Sequence, residues 1–362
     1  MKPTYYIGLM SGTSADAIDT ALVAFEAEKI HLIDFISPAL PATFQQQLGE
    51  LNQQPQLSLH QLCTLHAQLG QAFADTAQQM IQRHPNLAIL AIGSHGQTLY
   101  HAPDIGMSLQ LGHPALIAKH CALPTAADFR IDDMALGGQG APLAPVFHRQ
   151  LFPHLPRPHV LVNIGGIANI SLIHHDTVLG YDTGPGNALM DEVCRHHFAC
   201  DYDKAGALAA QAQPDAALLQ HLLAHPYFQQ RPPKSTGRDL FNQTWLAAYL
   251  KQGLDPLTLL STLNQFSVES LARALEQHTL PHHTPCIICG GGAYNTTLLQ
   301  RLQTRLPSLR IQTSLDYAIE PNAIEAMMCA WLAHQRVNER PIDLRLITGS
   351  QRPAILGGLW QP

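Results

Sequence analysis

The residues best suited to chemistry in this chain are polar side chains that directly follow apolar strands. The sharpest example is Tyr181-Asp-Thr-Gly-Pro-Gly-Asn187. A carboxylate at the end of a strand, held by a turn of Gly and Pro, points into whatever lies beyond the sheet. Asp182 could therefore act as a general base or hold magnesium, with Asn187 capping the next helix. The alternative is that Asp182 only organises the turn.

Glycine-rich turns elsewhere suggest phosphate binding. Tyr6–Ser14 leads into Ala21–Phe25, and Val160–Asn169 leads into Ile170–Ile173. A strand–turn–strand unit rich in Gly, Ser and Thr exposes N–H groups and hydroxyls to a small anion. Gly290–Gly292, between an apolar strand and a helix, would let a flat base or a phosphate approach the backbone. The repetition predicts two related lobes and a nucleotide ligand.

Three further clusters are candidates for contacts with a second substrate. Gly93–Thr98 closes a strand with polar groups, which indicates either a ligand contact or an ordinary turn. Arg130 is a fork-shaped cation that could hold a substrate carboxylate or form an interlobe salt bridge. Lys234–Asp239 resembles a basic phosphate loop but lacks the Walker spacing, so a substrate-side or lobe-closing loop is the preferred interpretation.

Composition favours a protein that binds a small molecule. A length of 362 residues predicts two domains, and a net charge of -6 with 13% charged residues provides no broad cationic field for nucleic acid or membrane. Neither a long apolar span nor a leader is evident, and seven scattered Cys fit reduced thiols, so a cytoplasmic location is expected. The 21 His show no metal-binding spacing, and Cys286-Ile-Ile-Cys289 is interpreted as a buried strand.

Periodicity places the elements that must position these residues. Strands are expected near 5–10, 18–25, 30–35, 87–93, 159–164, 168–174, 177–182 and 286–289, and helical segments near 43–83, 187–197, 214–277 and 295–306. Meandering strands followed by helices on mixed sheets predict an α/β duplication. The predicted lobes are 1–135, together with the tail 345–362, and 136–344, joined through Gly137–Pro142.

Seven segments in order resemble the anhydro-N-acetylmuramic acid kinase family. They are Gly8–Ser14, Asp128–Arg130, Gly137–Leu143, Asn163–Gly166, Asp182–Asn187, Pro233–Arg238 and Cys289–Gly292. The family belongs to the sugar kinase, Hsp70 and actin superfamily, and the match extends from residue 7 to the tail motifs Thr348-Gly349 and Leu356-Gly357. The resemblance implies two duplicated ribonuclease-H-like lobes, as in actin and hexokinase, with an active-site cleft between them.

The resemblance also implies a reaction. ATP and water would convert 1,6-anhydro-N-acetylmuramic acid into N-acetylmuramic acid 6-phosphate and ADP, a step of peptidoglycan recycling, in a cytoplasmic enzyme that is expected to be a homodimer. Because O6 of the anhydro sugar is tied to C1, water must attack C1 while the γ-phosphoryl group captures O6. Another sugar kinase of the superfamily, acting on a free hydroxyl, is the main alternative. An actin-like or chaperone ATPase is the second alternative.

The family pattern assigns roles to residues of this sequence. Asp182 matches the catalytic base. The remaining assignments are Gly12, Thr13, Ser14, Asp16, Asp19, Gly165 and Gly166 for the ATP phosphates, with Asp16 or Asp19 as Mg²⁺ ligands, Gly290, Gly291 and Gly292 beside the adenosine, and Gln97, Thr98, Arg130 and Glu325 for the sugar. Glu325 could equally be a helix-surface carboxylate. The sequence departs from the family at Ala15, Ala17 and Asp132, and Ala17 is expected to restrict the phosphate turn.

Overall fold

The computed structural model describes residues 2–12, 15–27, 29–53, 56–175, 177–232, 234–237, 240–248 and 253–362. The chain forms two compact units, unit 1 (Met1–Pro153 with Asn322–Pro362) and unit 2 (His154–Pro321). The lobes predicted at 1–135 with 345–362 and at 136–344 differ from this division. Segments 136–153 and 322–344 belong to unit 1, and Gly137–Pro142 lies inside that unit.

Unit 1 is built on a mixed sheet that starts as an antiparallel meander. Its strands, labelled in chain order, are β1 (Thr4–Ser11), β2 (Asp19–Glu26), β3 (Lys29–Ile36), β4 (Ile89–Ala102), β5 (Met107–Leu111), β6 (Thr125–Ala127) and β12 (Gly358–Trp360). The order is β12-β6-β4-β1-β2-β3, with β5 paired to β4. β4 runs parallel to β1, and β6 runs parallel to β4.

Helices cover this sheet. They are α1 (Ala42–Gln53), α2 (Leu59–Arg83), α3 (Pro114–Cys121), α4 (Ile131–Ala135), α5 (Ala144–Leu151) and α11 (Ile324–Val337). α2 starts at a capping box in which Ser58 and Gln61 satisfy each other's backbone N–H groups. Its buried residues Leu69, Phe73, Ala77 and Met80 recur every three or four positions, so one face of the helix enters the core of unit 1.

Helix α11 packs against the sheet of unit 1 through two neighbouring glycines. Gly8 of β1 and Gly93 of β4 are register partners. A Cβ added at Gly8 would lie 1.8 Å from the Ala326 carbonyl oxygen, and one at Gly93 would lie 2.0 Å from that of Cys329. The absence of two side chains therefore sets how closely α11 approaches the strands that lead into the predicted site.

Unit 2 repeats the topology of unit 1. Its strands are β7 (His159–Ile164), β8 (Ile167–Ile173), β9 (Val178–Pro185), β10 (Thr284–Cys289) and β11 (Leu309–Thr313), in the order β11-β10-β7-β8-β9. As in unit 1, an antiparallel meander comes first, and the next two strands add in parallel on the other side. The helices are α6 (Ala188–His197), α7 (Ala216–Leu223), α8 (Gln243–Ala247), α9 (Pro256–Glu276) and α10 (Thr296–Arg305).

The shared strand order confirms the predicted α/β duplication, and most element predictions hold within two residues. β4 is longer than the predicted 87–93 and continues to Ala102, where β5 pairs with it. The predicted helical region 214–277 is not continuous, because separate helices α7, α8 and α9 occupy it. Cys286 and Cys289 lie in the buried strand β10, as predicted. Within the described ranges, no helix is both long and apolar enough to cross a membrane.

The close approach of α11 predicts a large cost for a side chain at Gly93. We expect Gly93→Ala to lower the free energy of unfolding by about 3 kcal/mol or more, since backbone atoms must move to admit the methyl group. Gly106→Ala is the control: its Cβ meets nothing within 4 Å, and its φ of +68° costs only about 1 kcal/mol. Urea unfolding followed by circular dichroism measures both, and equal losses would contradict the packing argument.

Candidate active site

Asp182 lies near the end of β9, at the edge of the unit 2 sheet, where its backbone is fixed by groups outside the sheet. Its N–H donates to the Lys234 carbonyl at 3.2 Å. Its own carbonyl accepts from the Tyr227 hydroxyl at 2.6 Å. The preceding residue, Tyr181, points into the core and donates to the Ala274 carbonyl of α9. Because side chains alternate along a strand, the Asp182 carboxylate points to the opposite face.

Two donors from one short segment hold that carboxylate. The Ser235 hydroxyl donates to Oδ2 at 2.7 Å, and the Thr236 N–H donates to the same oxygen at 3.0 Å. Burial raises the pKa of Asp182, and the bonds from Thr236 and Ser235 oppose that rise by favouring the carboxylate. The result is a partly desolvated carboxylate on a rigid strand, with Oδ1 as the oxygen not engaged by this pair of donors. That is an arrangement suited to a general base.

The turn after Asp182 is tied to the second glycine-rich turn. The Gly186 N–H donates to the Gly166 carbonyl at 2.9 Å, and the Asn187 N–H donates to the Gly165 carbonyl at 2.8 Å. Asn187 stands at the N-cap of α6, but its side chain makes no capping bond and donates instead to the Ile164 carbonyl at 3.0 Å. The predicted side-chain cap is therefore wrong. Asn187 instead fastens the two turns together.

The three glycines after β10 meet the same two turns. A Cβ at Gly290 would lie 2.4 Å from Asn163 Oδ1, and one at Gly292 would lie 2.4 Å from the Ile164 side chain. A Cβ at Gly291 would be 3.5 Å from Asn187 Nδ2. Unit 2 thus brings Gly165, Gly166, Gly290, Gly291 and Gly292 together beside the turn that carries Asp182. The Asn163 and Ile164 side chains fill the space beside Gly290 and Gly292, whereas Gly166 and Gly291 are exposed and their backbone can be approached closely.

The first glycine-rich turn is longer than expected. β1 and β2 are joined by residues 12–18, so this is a seven-residue loop and not a tight turn. The Ala15 N–H donates to the Gly12 carbonyl at 3.0 Å, and the Ser11 hydroxyl donates to the Ala17 carbonyl at 3.1 Å. Ala15 carries the positive φ, +52°, and Ala17 instead pairs with Ala39. The unusual backbone conformation is therefore at Ala15 and not at Ala17, where the sequence suggested a restriction. Thr13 and Ser14 lie outside the described residues.

Asp16 of that loop and Asp19, the first residue of β2, contact the segment that follows β3. Asp19 Oδ1 accepts from the Ser37 hydroxyl at 2.6 Å. The backbone carbonyl of Asp16 accepts from the Leu40 N–H at 2.9 Å, and Asp16 itself is exposed. No cluster of three or more His, Cys, Asp or Glu that could hold a metal occurs among the described residues.

Gln97 and Thr98 lie on β4 beside the first loop. Gln97 is the register partner of Ser11, so its backbone is adjacent to the end of β1. Gln97 is only 3% exposed, and its Oε1 finds no hydrogen-bond donor within the described parts of the chain. The Thr98 hydroxyl accepts from Gln110 Nε2 at 3.3 Å. A buried carbonyl oxygen without a donor is costly, and a bound molecule with an N–H or O–H group would satisfy it.

Arg130 is half-buried, and its hydrogen-bond acceptors are neutral groups. Its Nε and Nη2 donate to His95 Nε2 at 3.1 and 2.8 Å, and Nη1 donates to the Gly140 carbonyl at 2.7 Å. Burial, and then the nearby guanidinium, lower the pKa of His95 to about 3, which keeps the imidazole neutral so that it can accept. Burial also lowers the pKa of Arg130, with Glu325 opposing. Glu325, Arg130 and Asp19 all act electrostatically on the Cys329 thiol, so unit 1 brings these three predicted residues into one neighbourhood.

Asp132 and Asp133 hold the backbone around Arg130. Asp132 Oδ2 accepts from the Gly357 N–H at 2.6 Å and anchors the C-terminal tail, which gives this departure from the family pattern a structural role. Asp133 is buried and accepts from the Gly140 N–H at 2.8 Å and the Thr348 hydroxyl at 2.7 Å. The glycine-rich run that contains Gly137 is thereby fixed within unit 1, although the sequence suggested it as the connection between the lobes.

Sequence reasoning missed the roles of Ser235 and Thr236. The sequence of Lys234–Asp239 resembles a phosphate loop but favours a substrate-side or lobe-closing loop. In the structure, the Ser235 hydroxyl and the Thr236 N–H donate to Asp182. Lys234 Nζ donates to the Tyr227 carbonyl at 3.2 Å and lies 4.4 Å from the centre of the Tyr227 ring. A contact between residues more than fifty positions apart leaves no local pattern, so only the fold reveals it.

Comparison with known proteins identifies relatives along the whole chain. A family model described as anhydro-N-acetylmuramic acid kinase matches residues 4–362. The protein of that name from Hydrogenovibrio crunogenus is 49% identical over 362 residues, covering 99% of this chain and 98% of the relative. The one from Vibrio vulnificus strain YJ016 is 42% identical over 361 residues, covering 98% of each.

Solved structures also match over most of the chain. A ROK family glucokinase from Streptomyces griseus, in complex with glucose and AMPPNP, is 13% identical and superposes with a TM-score of 0.43, covering 91% of this chain and 99% of the other. That likeness carries no argument about the site. The family match and the curated relatives extend over nearly the full length. The chain belongs to the anhydro-N-acetylmuramic acid kinase family.

Proposed function

We propose that this chain uses ATP and water to convert 1,6-anhydro-N-acetylmuramic acid into N-acetylmuramic acid 6-phosphate and ADP, as a step of peptidoglycan recycling. Family membership supports the reaction. The observation that carries its chemistry is the partly buried Asp182 carboxylate, held through Oδ2 by Ser235 and Thr236. A kinase that used a free sugar hydroxyl would need the same base but no water as a reactant.

In this reaction Asp182 removes a proton from water as the water oxygen forms a bond to C1. The C1–O6 bond breaks, and its electron pair stays on O6. O6 forms a bond to the γ-phosphorus, and the bond between that phosphorus and the β,γ-bridging oxygen breaks, releasing ADP. The phosphoryl group takes the place of the proton that a glycosidase acid would donate to the leaving oxygen. One base is therefore sufficient.

The proposal assigns separate sets of residues to ATP and to the sugar. For ATP the proposal assigns the glycines at 165, 166 and 290–292, together with the loop from Gly12 to Asp19, which includes the undescribed Thr13 and Ser14. For the sugar it assigns Gln97, Thr98, Arg130 and Glu325. The orphaned Gln97 Oε1 supports a polar ligand there. The positive charge of the half-buried Arg130, hydrogen-bonded to neutral groups, suits the lactyl carboxylate.

Magnesium is proposed to bind at Asp16 or Asp19, where it would neutralise charge on the ATP phosphates. The carboxylates fit the preference of this ion for oxygen ligands, and their small number fits an ion that is bound largely by phosphates and water. A homodimer and a cytoplasmic location are proposed on the resemblance alone. The alternative substrate class, a sugar with a free hydroxyl, is tested by the experiment below.

The first test compares two sugars. Purified protein with Mg-ATP should release ADP with 1,6-anhydro-N-acetylmuramic acid and not with N-acetylmuramic acid at equal concentration. Asp182→Asn should lower that rate by about 10²–10⁴-fold, because an amide cannot accept the proton. Asp104→Asn, which changes an exposed carboxylate outside the site, is the matched control. Turnover of the open sugar alone would replace the proposal with a conventional sugar kinase, and ADP release indifferent to sugar would leave a bare ATPase.

The second test concerns pH. Asp182 must be ionised to act, so the rate falls as pH falls through its raised pKa. Ser235→Ala removes a donor that favours the carboxylate, which raises that pKa further and moves the acid limb of the kcat profile to higher pH. Ser235→Thr keeps a hydroxyl and should restore the limb. An acid limb that stays in place, or moves to lower pH, in Ser235→Ala would show that this bond does not tune the base.

A further inference from the structure

Three polar residues form a row across neighbouring strands of unit 2. Asn163 of β7 is the register partner of Asn169 of β8, and Asn169 is the register partner of Asp182 of β9. Directly opposite residues share a face of the sheet. The residues beside them in sequence, Val162, Ile164, Ala168, Ile170 and Tyr181, are buried in the core on the other face. The row therefore lies on the face to which Asp182 points.

Asn169 and Asp182 form the closer type of antiparallel pair. The N–H and carbonyl of Asp182 bond to Lys234 and Tyr227, at the edge of the sheet away from β8. Neither backbone group is therefore directed at Asn169. In such a non-hydrogen-bonded pair the Cα atoms lie about 4.5 Å apart and the side chains are closest. The Asn169 amide is thus the nearest cross-strand neighbour of the proposed base.

The residue type is informative because Asn is unfavourable in strands. β8 is otherwise mostly apolar, and its flanking residues Ala168 and Ile170 are buried. A polar amide at this position needs a reason beyond the stability of the sheet. Unlike a carboxylate, the amide brings no negative charge that would raise the pKa of Asp182 further.

The reaction supplies a reason. An attacking water gives one hydrogen to Asp182 and must direct a lone pair at C1, so its second hydrogen needs an acceptor to fix its orientation. Ser235 and Thr236 already donate to Oδ2 of Asp182, which favours Oδ1 as the oxygen that takes the first hydrogen. A side-chain carbonyl on the neighbouring strand, on the same face, is suitably placed for the second.

We propose that Asn169 is a positioning residue that holds the attacking water together with Asp182, its Oδ1 accepting the water hydrogen that Asp182 does not take. This inference rests on the proposed function, because a kinase acting on a free hydroxyl would have no such water to hold. Asn163 lies one strand further from Asp182 and packs towards Gly290. It is therefore the member of the row nearest the glycines after β10.

The test uses Asn169→Ala and Asn169→Asp in the full-length protein, with both substrates varied. Asn169→Ala should lower kcat with the anhydro sugar by about 10–100-fold, as expected for a misplaced reactant, and change the KM for ATP by less than about twofold. Asn169→Asp keeps an acceptor but adds a charge beside Asp182. Its acid limb should therefore move to higher pH, with more activity than Asn169→Ala above that limb.

Ser171→Ala controls for general loosening of β8, since Ser171 lies on the same face two residues further along. It should lower the thermal midpoint without moving the acid limb. The inference is overturned if Asn169→Ala leaves kcat unchanged, if it raises the KM for ATP at constant kcat, which indicates a phosphate contact, or if its loss matches a loss of folded protein. A wild-type protein without sugar-dependent ADP release would instead overturn the proposed function itself.

Discussion

The arrangement of unit 2 depends on keeping one partly buried carboxylate ionisable. Taking Asp182 out of water disfavours its charge, and the Ser235 hydroxyl and the Thr236 N–H offset part of that cost. Those donors come from a segment that is itself fixed to the edge of β9 through Lys234 and Tyr227. Asp182, its two donors and the edge of β9 are therefore held together, and a substitution in the donor segment alters the protonation of Asp182 through these hydrogen bonds.

The duplication explains why the glycines are where they are. In each unit the strand order places a meander next to parallel strands, so turns after the first and fourth strands meet at one end of the sheet. In unit 2 this brings Gly165 and Gly166 to Gly290–Gly292. In unit 1 the loop after β1 meets Gln97 of β4 in the same manner. A ligand with phosphates and a flat base suits an end of a sheet where backbone is exposed and side chains are few.

Local sequence was sufficient for most strands and for placing Asp182 near the end of one, but not for the residues that contact Asp182. Strands such as β7 and β10 were predictable because their apolar runs are bounded by glycine turns. The region 214–277 was predicted as one helical stretch because propensity does not locate the breaks that tertiary packing imposes between α7, α8 and α9. The loop after β1 is longer than a tight turn. The Ser11 hydroxyl donates to the Ala17 carbonyl across it, a contact that composition does not reveal.

Contacts of long sequence separation account for the remaining differences. His95 and Arg130 are 35 positions apart, and no spacing rule joins a strand imidazole to a guanidinium. Similarly, the Asn169–Asp182 pair depends on a bulge in β8–β9 pairing, between Ala168 and Asn169, that sets which residues face each other. Register is a property of the assembled sheet, so a sequence that indicates both strands still leaves this pair undetermined.

The hydrogen bonds of Arg130 bear on the proposed recognition of a carboxylate. A buried guanidinium bonded to a carboxylate would have its charge neutralised in place, and a second anion would gain little from it. Here the acceptors are a neutral imidazole and a backbone carbonyl, so both orient the fork without cancelling its charge. The burial that lowers the pKa of His95 to about 3 is what keeps that acceptor neutral across the physiological range. Glu325 supplies a nearby negative charge. These contacts support the proposal that Arg130 binds the carboxylate of the sugar.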